Sequence, residues 1–438
     1  MKHMKKKNSG RNRVGVGAGA ALLTLLLAIL LGVSSCVPKI SATELSLKGA
    51  PITVPQSGTL SDDRYSETLI KLTDLSLRLA ALSAEKGESS VVSPISALIC
   101  LALMANGANG ETLAQIETAL GVEIEELNAF MADLTATVLG YDNESCELRL
   151  ASSIWIKEDA ALRVNDEFLR TNAQSYRAQI YSSPFDKRTA RDINAWIERS
   201  TDGLIKDMLD EADPSAMMYL ISTVAMDAKW QEKYEKSAVR DSAFTNYSGE
   251  TKQVETMFST EGRYLANESC CGFVKNYHGG RYALATLLPN EGVDVYDMLS
   301  TLSGESWKAL LDGCKSGVIV KTSMPSFSIE QRLDLAASMA ALGVTDMFDS
   351  DAADFSRLGS YGGEGLYCSS FEQKTVIDVN SDGTRAASAS VGVMAPTSAG
   401  PSPEEQKIYQ VYLTRPFIAA VIDLETGLPM FISVVSEA

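Results

Sequence analysis

Two histidines, His3 and His278, are all the imidazole chemistry this 438-residue chain offers. His3 falls in an N-terminal segment set aside below, so a Ser-His-Asp or Cys-His pair, or a zinc site of several imidazoles, would have to use His278 alone. His278 stands in Tyr277-His278-Gly279-Gly280, a surface-turn sequence with no catalytic partner indicated. The seven cysteines contain no C-x-x-C spacing, which argues against a zinc ribbon or a thioredoxin-like redox pair. Cys100 lies in the apolar run 99–103 and reads as core. The spacing of Cys146, Cys270, Cys271, Cys314 and Cys368 fixes no pairing. Asp378-x-Asn380-x-Asp382-Gly383 imitates the start of a calcium loop, but Ala389 stands where a bidentate Glu is needed. These residues lead us to expect no catalytic centre, no cofactor and no metal.

One stretch is unusual for the opposite reason. Residues 381–405 read SDGTRAASASVGVMAPTSAGPSPEE, almost all small, with Pro396, Pro401 and Pro403. Structureless segments of that length inside a compact domain are uncommon, and are either functional or simply flexible insertions.

The elements that must carry this stretch are legible in outline. With 45% apolar and 22% charged residues, 31 Gly and 13 Pro, the chain is neither disordered nor collagen-like. Its length allows several average domains or one large one. Ile70, Leu72, Leu75, Leu77, Leu79 and Leu82 are dense enough for a buried helix face, and residues 94–105 read as a second helix with Ser93 as cap and Pro94 at its first position. The spacing of Ile193, Trp196, Ile197, Leu204, Ile205 and Leu209 predicts a third over 189–209. Strands are expected at 148–156, 219–228, 282–288, 317–321, 374–379 and 411–422. Trp155, Trp196 and Trp230 lie on these patterns and read as core. Helices early and strands late make the fold class α+β.

The N-terminus reads as an address. Residues 1–13 carry six positive charges and no acid, and residues 14–33 carry no charge at all. A basic region, an apolar region and small residues before a cut describe a secretory signal over 1–35. Val33-Ser34-Ser35-Cys36 resembles a bacterial lipobox, which would make Cys36 the lipidated first residue; the alternative is an uncleaved membrane anchor. Either way the remainder is expected outside the cytoplasmic membrane. Residues 37–62, rich in Ser, Pro and Gly, read as a tether, and 63–438 as the domain. Without the six charges of the signal, the net −17 of the whole chain becomes −23. That balance excludes nucleic acid as a partner and suits a cationic one.

From residue 63 onward the chain resembles the serpin family of serine protease inhibitors. Ser93-Pro94-Ile95-Ser96-Ala97-Leu98, Gly107-Ala108-Asn109-Gly110, Ile193-Asn194-Ala195-Trp196, Lys229-Trp230-Gln231, Met324-Pro325-Ser326-Phe327, Leu342-Gly343-Val344-Thr345-Asp346, Ala353-Asp354-Phe355-Ser356 and Arg415-Pro416-Phe417 follow one another in the family's order. The resemblance implies a monomer with helices packed around three mixed or antiparallel sheets and a long exposed reactive-centre loop, here about 381–405. The family uses that loop as bait: cut by the target, its N-terminal arm enters the main sheet, strand addition of which serpins are a standing example. The arm of this chain is suited to entry. Thr384, Ala386, Ser388, Ser390, Gly392 and Met394 form one parity and are all small or uncharged. Arg385, Ala387, Ala389, Val391 and Val393 form the other, so its one charge faces solvent. Gly383 supplies the pivot, and 383–397 extended spans about 50 Å.

Counted along the family pattern, the scissile bond is Thr397–Ser398, with Met394–Ala395 second. Met394-Ala395-Pro396-Thr397 resembles sequences taken by elastase-type proteases, and a −23 domain would steer toward a basic elastase. Departures from the family stand at Ser381 and Arg385, where Glu is common, and at Gln373, Ser222, Thr414 and Ser433; they bear on the stability of the uncut form. Three functions follow from these residues. One is a suicide inhibitor forming a covalent 1:1 acyl-enzyme; another is a non-inhibitory serpin acting as a surface binding module. The third, a solute-binding lipoprotein of another fold, is disfavoured by the ordered motifs.

Overall fold

The computed structural model describes residues 39–46, 60, 63–141, 144–384 and 407–438. Helix α1 (Ser66–Ser83) buries Leu72, Leu75, Leu77 and Leu79 as the periodicity predicts, but Leu82, expected on the same face, is exposed in the last turn. Helix α2 (Pro94–Ala105) is buried at every residue but Cys100, which is half-buried against the core, as its apolar circumference requires. Ser93 takes the extended cap position, yet its hydroxyl donates to the Met430 carbonyl at 3.0 Å instead of capping. Helix α3 (Lys187–Ser200) begins with a capping box between Asp186 and Thr189. It stops short of the expected 209 because Asp202 and Gly203 take positive φ of 50° and 73°, which ends a right-handed helix.

The sheet that matters most has seven strands: β1 (Thr43–Glu44), β2 (Cys146–Lys157), β3 (Gln179–Ser183), β4 (Met218–Lys229), β5 (Phe327–Asp334), β6 (Glu372–Val379) and β7 (Gly383–Thr384), in the spatial order β1-β3-β2-β4-β7-β6-β5. Only β2 and β3 run parallel; every other neighbouring pair is antiparallel. Both faces of β4 are used. Val224, Met226 and Ala228 join the main core with α2, while Tyr219 and Ile221 pack with Trp155, Trp196 and α3 in a second cluster.

A second sheet runs Ile408–Tyr412, Lys315–Pro325, Thr251–Ala266, Cys270–Asn276, Tyr282–Pro289, Phe417–Asp423, Pro429–Val435, Ser90–Val92, with Val239–Thr245 alongside Thr251–Ala266. The run expected as one strand over 411–422 is two, broken at residues 413–416, where Pro416 has no N–H to give a ladder. A third, small sheet pairs Gly359–Tyr361 with Leu162–Val164. The architecture is the α+β arrangement expected, helices around three sheets.

Part of the stretch read as a tether is docked rather than free. β1 pairs with β3, and Asp192 of α3 accepts from the Ser41 N–H, the Ser41 hydroxyl and the Ala42 N–H at 3.1, 2.6 and 2.9 Å. Leu60 is fully buried in the main core. Composition could not reveal this, since the docking relies on backbone groups and one distant carboxylate.

Candidate functional site

Strand β6 turns Gln373, Thr375, Ile377 and Val379 inward and ends at Val379, before Asn380. The chain reverses there: the Asn380 N–H donates to the Gly383 carbonyl at 3.0 Å, and the Asp382 N–H to Asn380 Oδ1 at 3.0 Å. It returns as β7, with Thr384 opposite Val379 on one side and Ala228 on the other. Gly383 is required by contact, because a Cβ there would stand 2.0 Å from the Ala228 carbonyl oxygen. Thr384 is 4% exposed, its hydroxyl 2.5 Å from that of Tyr277.

The reversal is gripped by the chain that follows β4. Trp230 Nε1 donates to the Asn380 carbonyl at 2.8 Å, the Trp230 N–H to the Asp382 carbonyl at 3.1 Å, and the Tyr234 N–H to the Ser381 carbonyl at 3.4 Å. The Trp230 ring stacks on Tyr277 at 4.6 Å and meets Tyr234 edge-on. Behind them Lys275, paired to Glu261 at 2.8 Å, holds its ammonium 4.3 Å from the Tyr234 ring centroid. Burial pushes the phenols of Tyr277 and Tyr234 well above the usual tyrosine range, so both remain neutral. Outside, Lys233 lies 3.2 Å from Asp382.

Beyond β7 no ladder joins β4 to β6 among the described residues. The gap between them is lined by Val224, Met226, Val376 and Ile377, with Leu204 and Ile205 from the segment after α3. At its far end Gln373 braces the start of α2: its Oε1 accepts from the Ser93 N–H at 3.1 Å and its Nε2 donates to the Ser93 carbonyl at 2.8 Å. The segment 201–216 lies against the outer side. Asn194 brackets Leu209 with bonds of 2.7 and 2.9 Å, Lys374 Nζ reaches the Lys206 carbonyl at 2.9 Å, and Arg332 lies 3.5 Å from Asp210.

Gly383 and Thr384 thus stand together as the first two residues of a strand between β4 and β6. The other expected site residues, Ala386, Ala387, Ser388, Ala389, Ser390, Met394, Ala395, Thr397, Ser398 and the lipid-bearing Cys36, lie outside the described residues. Sequence reasoning misses Tyr277 and Lys233, and it reads Trp230 as core and as part of a family motif, with no contact to the loop assigned. Their role arises from a meeting of segments more than 100 residues apart, for which the single sequence holds no signal.

A gap in a central sheet, with the next stretch of chain already paired at one end, is the geometry a strand-inserting inhibitor needs. The pattern of the family described as Serpin (serine protease inhibitor) matches residues 71–438. The chain belongs to the serpin family. The leukocyte elastase inhibitor of Bos taurus is 30% identical over 320 residues, covering 68% of this chain and 81% of that protein. Plasminogen activator inhibitor 1 of Bos taurus is 28% identical over 403 residues, covering 87% and 95%. Among solved structures, the native state of the thermophilic serpin tengpin superposes with a TM-score of 0.80 at 36% identity, covering 91% of this chain and all of that one. Serpin membership carries serine protease inhibition as the general function, with a protease as partner and not a reaction as output.

Proposed function

We propose that this serpin is a suicide substrate for an elastase-type serine protease, cut at Thr397–Ser398 and trapping its target as an acyl-enzyme. The observation that carries the reading is the antiparallel pairing of Gly383 and Thr384 between β4 and β6, with no ladder joining β4 to β6 beyond them among the described residues. A strand begun at that point adds residues one by one to both neighbours, and the uncharged, mostly small parity beginning at Thr384 suits the core side. The bait residues Met394 to Thr397 suit a shallow apolar pocket, and the kinship to an elastase inhibitor points the same way. We further assign residues 1–35 as a lipoprotein signal and Cys36 as the lipid attachment, placing a monomeric domain outside a bacterial membrane.

The test mixes the protein with neutrophil elastase and follows it by denaturing electrophoresis and mass spectrometry. A denaturant-resistant 1:1 complex and a released peptide beginning at Ser398 are expected. Clean cleavage without a complex would remove the trapping mechanism, and a different peptide terminus would move the bond.

A further inference from the structure

The grip on the loop reversal is itself held from behind by a buried charge. Lys275 stands on the strand Cys270–Asn276, opposite Leu284 of Tyr282–Pro289, and is 3% exposed. Its ammonium donates to Glu261 Oε1 at 2.8 Å, and the same oxygen accepts from the Ser259 hydroxyl at 2.5 Å. Ser259 meets the Thr322 hydroxyl at 2.8 Å, so the pair is fastened to three strands of the second sheet. On its other side the ammonium lies 4.3 Å from the Tyr234 ring centroid and 5.5 Å from that of Trp230. These two residues supply the three donors that hold the carbonyls of Asn380, Ser381 and Asp382. Backbone pairing ties the grip to the end of the lysine's strand at Trp230 and Gln231; Tyr234, three residues on, meets the lysine through its ring.

Resting on the strand-insertion reading, we propose that Lys275 is a positioning residue for the entry point: it fixes Tyr234 and Trp230, and through them the reversal that seats Gly383 and Thr384, so that trapping depends on it. Desolvating both members of an ion pair is costly, and an apolar pair of like volume often serves stability as well or better. What the charge adds is direction. An ammonium in a water-excluded site is attracted to the face of an aromatic ring and loses that attraction as the ring slides away. Glu261 removes the lysine's freedom to follow the ring, because its carboxylate is itself fixed by Ser259. A ring held in this way keeps the Tyr234 N–H aimed at the Ser381 carbonyl, whose 3.4 Å bond is the longest of the three and the first to be lost.

The test uses the full-length parent, E261M/K275M, Y234L and their combination. Two quantities are read: hydrogen exchange at the Trp230, Tyr234 and Asn380 amides of the intact protein, and the ratio of covalent complex to nicked product with neutrophil elastase. E261M/K275M is expected to keep the parent's urea midpoint, to speed exchange at those three amides about tenfold and to lower the ratio about fivefold. The amides of α2 should exchange as in the parent, which a general loss of stability would not allow. Y234L keeps the ion pair and removes the ring; it should reproduce both changes, and adding it to E261M/K275M should contribute less than about twofold. Parent-like exchange in E261M/K275M, a parent-like ratio, or full additivity with Y234L overturns the positioning role while leaving strand insertion in place. A large fall in the urea midpoint of E261M/K275M would make the pair a prop of the fold, and overturns it too. A parent that is nicked without forming complex overturns strand insertion, and exchange at the reversal then decides alone whether Lys275 positions it.

Discussion

The Thr384 hydroxyl lies 2.5 Å from that of Tyr277, and both residues are buried, 4% and 0% exposed. On the proposed mechanism, the first inward side chain of the inserting strand would already be seated on the core before any cut is made. Thr384→Arg cannot keep that seat without burying a charge beside a neutral phenol. It should convert inhibitor to substrate, seen as nicked product replacing complex on a denaturing gel. Undiminished trapping would contradict the insertion mechanism.

Specificity should move with the residue before the proposed bond. Thr397→Arg offers a trypsin-type pocket the long cation that Thr397 lacks, so complex formation should shift from elastase to trypsin. Elastase inhibition that survives unchanged would place the bond elsewhere, with Met394–Ala395 next to be examined by the mass of the released peptide.

Gln373 is a brace at the far end of the gap. Gln373→Ala would strip partners from the buried Ser93 N–H and carbonyl, at a cost of about 2–3 kcal/mol to the uncut form. Urea unfolding of the intact protein measures it, and a change under about 0.5 kcal/mol would mean that the bonds are replaced locally.

Burial pushes the thiols of Cys100 and Cys146 up to about 12. Their thiolate fraction at pH 8 is then on the order of one in ten thousand, so iodoacetamide should leave both unmodified until urea is added. Labelling of either at the rate of an unfolded peptide would contradict their placement.

The local parts of this site were legible in the residues: the strand 374–379, a glycine at 383 and the helix behind Pro94; the parity of the arm beyond Thr384 lies outside the described residues. What receives the arm was not legible. Trp230 and Tyr277 meet Asn380 and Thr384, and Gln373 meets Ser93, only through strand order and register, which a single sequence does not encode locally. The strands over 239–276 escaped notice for a different reason. Thr251–Ala266 is largely half-exposed and polar, so its alternation carries little apolar signal. The difference at the end of α3 follows from Ile205, buried, and Leu204 and Leu209, half-buried, standing at helical spacing while Asp202 and Gly203 turn the backbone away.

The segment 201–216 acquires a meaning in time as well as space. On the proposed mechanism, a strand advancing beyond β7 would pass where Leu204 and Ile205 line the gap and would disturb the Asn194 bracket and the contacts of Lys374 and Arg332. Each such polar clip is worth about 1 kcal/mol, small for a fold but several-fold in a rate when summed. For a trap of the proposed kind the rival process is hydrolysis of the acyl bond, which runs on the protease's own clock. Tightening these clips would give a sturdier protein that arrives too late.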